Sequence, residues 1–494
     1  MSEPGSNAGQ AAGRVTLGGT GLTVSRIGFG CYRVDDQTAE HRAALEQALD
    51  SGCTLIDTST NYTDGASERL VGEALSDLRR RDPARRDAVT VVSKIGYVQG
   101  QNMILAMERE RKGRPFPDMV RYMDGCWHCI HPEFLADQLE RSRRRLQVET
   151  LDVCLLHNPE YFLSDAHKRR DGDLPAVRDA FYARLRDAFA FLEERVRSGE
   201  IRFYGVSSNS AVHPPDDPEA TSLSRMLEAA AAAGGAGHHF RVLQIPMNLF
   251  ESGGATVRNT GPGNSRTVLQ EAAEQGIGVL INRPLNAFVG NRLRRLASPE
   301  VPPPRVPMAA AASTLRALEM EHRNGIAPRV GRAATDAAGQ LFQLIDQVVD
   351  LAPQVEDLVH WRQIEQQYVI PRVNFVAAAV AKGIAEGERT RWRAWWGHFS
   401  SALQDLLYDI GRQAAEKSRA PAMEIAAALD PGLPPGRRAE SLSRKALWVL
   451  ASTPGVSCVL VGMRSVPYVA DAMAVADWPG LDDAAAVYDR MEKA

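Results

Sequence analysis

The 494-residue chain has little cysteine, few aromatic side chains and almost no net charge. Six cysteines are scattered along it, and Cys31, Cys53, Cys154 and Cys458 lie inside or beside apolar runs. No disulfide framework is expected, and they read as reduced core residues of a cytoplasmic protein. A balance of 58 Lys and Arg against 61 Asp and Glu leaves a formal charge of −3, which gives no electrostatic footprint for nucleic acid. The arginines Arg141 and Arg143 to Arg145 follow a helical apolar pattern and read as a solvated helix face. No run of about 18 apolar residues is present, so no membrane span is expected. Residues 1–13 are small and polar without an apolar core, the pattern of a disordered tail and not of a secretory signal.

What remains is a globular composition, 44% hydrophobic and 24% charged, long enough for one large domain with insertions or for several smaller ones. Residues 14–24 alternate around a glycine turn and predict a hairpin. Gly18-Gly-Thr-Gly21 lacks the third glycine of a dinucleotide fingerprint, and a strand follows it where that fingerprint needs a helix. From Arg26 onward, short apolar runs alternate with helical patterns. Strands are expected at 27–31, 54–57, 89–94, 151–157, 202–209, 241–248, 276–282 and 456–462. Helices are expected at 39–51, 67–80, 132–146, 177–198, 441–452 and 466–475. Eight such units predict an α/β fold of the closed (β/α)8 TIM barrel class; a doubly wound open sheet, the alternative, rarely needs so many.

The barrel pattern is expected over 14–289 and again over 441–494, with a mostly helical insertion at 290–440 after strand seven. Pro302-Pro-Pro-Arg-Val-Pro307 opens the insertion and Pro431-Gly-Leu-Pro-Pro-Gly436 closes it, both stiff and helix-breaking. Trp392, Trp395, Trp396 and Phe399 recur at helical spacing, as the core of a helical subdomain or as an aromatic lid. The insertion is also a candidate docking or oligomer contact.

Three successive strands end in chemistry. Cys53-Thr-Leu-Ile-Asp57 ends in a carboxylate, and Tyr62 follows on a polar turn before Gly65 and Ser67 lead into a helix. Val89-Thr-Val-Val-Ser-Lys94 ends in an amine and Leu151-Asp-Val-Cys-Leu-Leu-His157 in an imidazole. In a parallel α/β architecture those ends share one face. A phenol has a reference pKa of about 10, so its use as an acid near neutral pH calls for a neighbouring cation, which Lys94 supplies.

This set resembles the aldo-keto reductase family. The likeness lies in Asp57-Thr-Ser-Thr-Asn-Tyr62, Gly65-Ala-Ser-Glu68-Arg-Leu-Val-Gly72, Lys94 and Leu-Leu-His157-Asn, and it extends over most of 14–289 and 441–475. It implies NADP-dependent interconversion of an aldehyde or ketone with its alcohol. In that scheme Tyr62 gives the proton, Lys94 steadies the phenolate, Asp57 holds the ammonium, and neutral His157 donates a hydrogen bond to the carbonyl oxygen.

The resemblance also implies a cofactor cradle. Ser207 and Ser208 with Asn209, and Gln244, match the groups that hold the nicotinamide carboxamide, with an extra serine leaving the register open. Arg283-Pro-Leu285 sits where the family wraps the pyrophosphate, and Gly462, Arg464 and Ser465 where it meets the adenosine 2′-phosphate. Tyr468 and Asp471 fall on the adenine side. An arginine fork suits phosphate oxygens, which favours NADP over NAD. Three residues depart from the family pattern: Met247 for a stacking tyrosine, Arg283 for a serine, and Ala472 for an adenine-contacting asparagine.

No metal is expected. The Cys126-Trp-His128-Cys129-Ile-His131 cluster is too tight for one tetrahedral site closed by all four ligands and reads as pocket lining. The rival readings are a cofactor-binding regulatory or scaffold subunit with little turnover, and a barrel hydrolase using Asp57 and His157.

Overall fold

The computed structural model describes residues 13–492 apart from 171, 291 and 385, so the expected N-terminal tail falls outside the described residues except for Gly13. Eight parallel strands close into a barrel in which each pairs with its neighbours in sequence. They are β1 (Ile27–Gly30), β2 (Leu55–Asp57), β3 (Thr90–Ile95), β4 (Leu151–His157), β5 (Ile201–Ser207), β6 (Phe240–Pro246), β7 (Gly278–Asn282) and β8 (Cys458–Val461). One helix packs behind each: α1 (Ala39–Asp50), α2 (Ala66–Arg81), α3 (Pro132–Leu146), α4 (Leu174–Arg197), α5 (Leu223–Gly234), α6 (Val268–Glu274), α7 (Leu442–Ser452) and α8 (Val466–Met473). The strands read as near-continuous apolar runs because helices and the barrel interior bury both faces. Local signals set the helix starts: Thr267 and Gln270 form a capping box on α6, and Ser441 caps α7 by accepting from Arg444 N–H.

The expected hairpin is present, pairing Arg14–Thr16 with Thr23–Ser25, and its Leu17 fills the barrel floor. Leu17 is fully buried among Leu55, Val92, Leu155, Val242 and Leu280. A side chain at Gly278 would put its Cβ 2.5 Å from Leu17 Cδ1, so the plug needs a glycine there.

Between β3 and α3 the structure adds elements for which the sequence pattern gives no expectation. Tyr97–Val98, Cys126–His128 and Val120–Met123 form a three-stranded antiparallel sheet, with a helix at Gly100–Arg111. Strands of two to four residues are too short to show a period in sequence. A further helix, Tyr161–Arg169, precedes α4. Strand five ends at Ser207 and strand six at Pro246, so Asn209 lies beyond its strand.

The chain divides into two compact units, the barrel with residues 428–494, and residues 293–427. The second is helical, with Met308–Glu321, Arg332–Leu351, Leu358–Ile364 and Ile370–Gly383 packed around the first part of Arg389–Leu429. The tryptophan set lies in this unit's own core: Trp392 stacks on Trp396 with centroids 5.6 Å apart, and Trp395 on Phe399 at 4.9 Å. All six cysteines are buried and free. Among the described residues, no helix is long and apolar enough to cross a membrane.

Candidate active site

Lys94 is carried into the barrel by its strand. The β-branched residues before it are buried throughout, and the ammonium is drawn in with them to 0% exposure. Its Nζ donates to Asp57 Oδ1 at 2.6 Å, to Asp57 Oδ2 at 2.7 Å and to the Thr58 carbonyl at 2.7 Å. Gln244 Nε2 also donates to Asp57 Oδ2, at 2.8 Å, while Ser207 Oγ and Asn282 Nδ2 donate to Gln244 Oε1 at 3.3 and 3.2 Å. Burial pushes the Asp57 carboxyl up and the Lys94 ammonium down, and each charge opposes the other's shift.

Tyr62 stands over this pair, with Lys94 Nζ 4.9 Å from its ring centroid. The turn that aims it is unusual: Thr63, Asp64 and Gly65 have φ of 46°, 54° and 84°, three left-handed residues in succession. Thr63 is held there because its Oγ1 donates to the Val34 carbonyl and accepts from Ser67 N–H, and Asp64 Oδ1 accepts from Gln101 N–H. From sequence, the ammonium is expected to make the phenol acidic. In the structure burial first, and the Asp57 charge second, push the phenol well above its ordinary value. Lys94 spends its donors on Asp57 and Thr58, so Tyr62 holds its proton at neutral pH.

His157 ends β4 in register with Ser207, and Ser207 in turn with Gln244. Its ring lies edge-on to Tyr62 and to Tyr97, with centroids 5.8 and 4.6 Å apart. Ser59 Oγ is 3.0 Å from Nδ1, and His128 Nε2 is 2.7 Å from the His157 carbonyl oxygen. Burial pushes the His157 imidazolium well below its ordinary value, with Lys94 adding to the effect, so the ring is neutral.

Several neighbours escaped the sequence analysis. Asn158 Nδ2 donates to the Tyr97 hydroxyl at 2.8 Å, and that hydroxyl to Tyr161 at 3.2 Å. Buried Glu160 accepts from Asn209 N–H at 2.6 Å. Asn158, φ 52°, sits in the motif Leu-Leu-His157-Asn; the left-handed turn before Pro159 is the one signal that could have marked it.

The cradle residues fall into two groups. Ser207 and Gln244 join the Asp57 cluster at the barrel axis, whereas Ser208 turns away toward Ser210 and Thr221. Asn209 is exposed, and Met247 is fully buried. Arg283, φ 55°, pairs with Glu251 at 3.3 Å beside buried Leu285. At the β8 outlet, Gly462, Arg464 and Tyr468 are exposed, and Ser465 precedes α8. Asp471 turns to α7, accepting from Ser441 and Ser443 and pairing with Arg444 at 3.0 Å.

The Cys126–His131 cluster diverges. His128 goes to the His157 carbonyl, Cys129 Sγ to the Pro117 carbonyl, and His131 caps α3 by accepting from Glu133 N–H. Among the described residues, no group of three or more His, Cys, Asp or Glu converges on a metal position.

A family model described as "Aldo/keto reductase family" matches residues 26–216. That stretch is similar to the aldo/keto reductase family. A "Probable aldo-keto reductase 1" of Glycine max is 26% identical over 214 residues, 40% of this chain and 48% of the relative. An "NADH-specific methylglyoxal reductase" of Escherichia coli strain K12 is 26% identical over 211 residues, 40% and 53% of the two chains. The chain thus spans about half the length of the curated relatives it matches. Among solved structures, the holo form of aldo-keto reductase AKR11C1 from Bacillus halodurans aligns over 98% of this chain and 96% of its own at 15% identity, with a TM-score of 0.46.

Proposed function

We propose that the chain is an NADP-dependent oxidoreductase that interconverts an aldehyde or ketone with its alcohol. The observation that carries the reading is the meeting of Asp57, Lys94, Tyr62 and His157 at the ends of consecutive barrel strands, with a protonated phenol above a fully buried ammonium. Tyr62 is the proton donor. Asp57 keeps Lys94 charged and in place, so that the phenolate left after transfer faces a cation 4.9 Å from its ring centroid. His157 and Tyr97 wall the reacting group, and Asn158 fixes the Tyr97 hydroxyl.

The chemistry of the cradle suits a nicotinamide dinucleotide. Ser207 and Gln244 offer hydroxyl and amide groups at the barrel axis, Asn282 keeps a buried Oδ1 with no hydrogen-bond partner, and exposed Arg464 precedes the N-terminus of α8. Ser207, Gln244, Arg283, Leu285, Gly462, Arg464, Ser465 and Tyr468 are the residues assigned to it, with Ser208, Asn209 and Asp471 at its margin. Bound there, NADP would supply or take up the hydride. An "NADH-specific methylglyoxal reductase" and an "Aldo-keto reductase yakc [NADP(+)]" both stand among the relatives, and exposed Arg464 favours the phosphorylated cofactor here.

The test is Tyr62→Phe. Turnover of a panel of aldehydes should fall by about 10² to 10⁴, with cofactor affinity, read by fluorescence titration, near wild type. Equal turnover in the variant removes the mechanism; binding of NADP without turnover by the wild-type protein would instead favour a regulatory subunit.

A further inference from the structure

Glu160 is a buried carboxylate held by neutral donors. It is 5% exposed, and among the described residues it forms no ion pair. What it meets instead is the outlet of β5. Its Oε1 accepts from Asn209 N–H at 2.6 Å, and the Ser208 hydroxyl and the Ser210 N–H also favour its charged form. Two residues earlier, Asn158 N–H donates to the Ser207 carbonyl at 2.7 Å, and Asn158 Nδ2 donates to the Tyr97 hydroxyl. Residues 157–160 therefore join the wall around Tyr97 to the 207–210 stretch placed at the cofactor.

The titratable groups that feel the Glu160 charge are Tyr97 and Tyr161, and burial pushes both phenols up, so they are neutral. On the segment that follows β5, Glu219 is occupied by the Ser164 hydroxyl, which donates to it at 2.6 Å. Ser164 N–H in turn donates to the Glu160 carbonyl oxygen at 3.0 Å. A carboxylate offers only acceptor sites, which suits three converging donors. A carboxylic acid turns one of those sites into a donor that faces N–H and O–H groups. Protonation, or an amide in its place, sets donor against donor and loosens residues 208–210.

We propose that Glu160 is a positioning residue for the cofactor: as a carboxylate it sets the 208–210 backbone for the nicotinamide end, and as an acid it releases it. The inference rests on the oxidoreductase reading. Burial pushes this carboxyl up to about 7, so the exchange falls near neutral pH. The charged form is the one that binds. By linkage, binding draws the carboxyl down and releases a proton, and affinity rises as pH rises through 7.

The experiment is calorimetric titration of the full chain with NADP between about pH 5 and about pH 8, on wild type and Glu160→Gln. Adenosine 2′,5′-bisphosphate, which lacks the nicotinamide, probes the far end of the cradle. The phosphates of a ligand titrate equally in both proteins, so the ratio of the two proteins' affinities isolates Glu160. The variant should equal wild type near pH 5 and bind NADP about tenfold more weakly near pH 8, the worth of one hydrogen bond to a charged acceptor. Its affinity for the bisphosphate should stay at the wild-type value. Near pH 7, wild type should release more protons on binding NADP than the variant does. Ser208→Ala, which removes one donor from the carboxylate, should move the wild-type midpoint to higher pH. A ratio that is the same at every pH, or equal weakening of the bisphosphate, would overturn the proposal and leave the oxidoreductase reading standing. NADP bound by neither protein at any pH would overturn both.

Discussion

At the centre of the barrel, Lys94 is fully buried and meets three oxygen acceptors; in the 293–427 unit, His322 is also deeply buried, and neither of its ring nitrogens has a hydrogen-bond partner among the described residues. His322 sits among Phe342, Trp392 and Trp395, and burial holds its imidazole below the ordinary value. The contrast separates two uses of a buried polar group. Around Lys94, every neighbour supplies a matching atom, which is what a site for chemistry needs and what an apolar core would not provide. Around His322 the ring behaves as one more flat filler in a stack of aromatic side chains, at the cost of desolvating two nitrogens.

Substitutions at the two sites should therefore diverge. Lys94→Met leaves Asp57 buried without its counter-charge, and should cost about 3–5 kcal/mol of stability in urea unfolding while abolishing most turnover. A wild-type midpoint for that variant would mean the pair is not the buried ion pair described. Trp395→Ala empties the middle of the aromatic stack and should cost a comparable 3–5 kcal/mol, read as an earlier loss of tryptophan fluorescence. Stability insensitive to this change would deny the helical unit a core of its own.

Glu160 extends the comparison to pH. Burial pushes its carboxyl up to about 7, whereas in the unfolded chain it titrates near 4.3. The folded protein holds this proton more tightly, so its contribution is full at acid pH and lost as pH rises from about 4.3 toward 7, by about 4 kcal/mol at most. Glu160→Gln should match wild type below about pH 4 and exceed it near pH 8; parallel stability curves would contradict the assignment. The smallest effect is expected at His322. His322→Phe removes two unmatched nitrogens and keeps a ring, so it should be neutral or stabilising by about 1 kcal/mol, and a large loss would reveal a polar role there.

The strand ends were legible in sequence because an apolar run that stops at Asp57, Lys94 or His157 leaves its last polar side chain at the barrel mouth. Which of Ser207 and Ser208 lies beside Gln244 was not legible, since only strand register decides that. The small sheet around Tyr97 was lost because its strands are too short for any pattern.

The left-handed run of Thr63, Asp64 and Gly65 has a cost beyond local geometry. Such a turn is a spring kept wound by its own hydrogen bonds, and replacing Thr63 with glycine would lift the conformational cost while letting Tyr62 wander. Attempts to harden this protein against heat will find that position early, and will meet there the trade between endurance and aim.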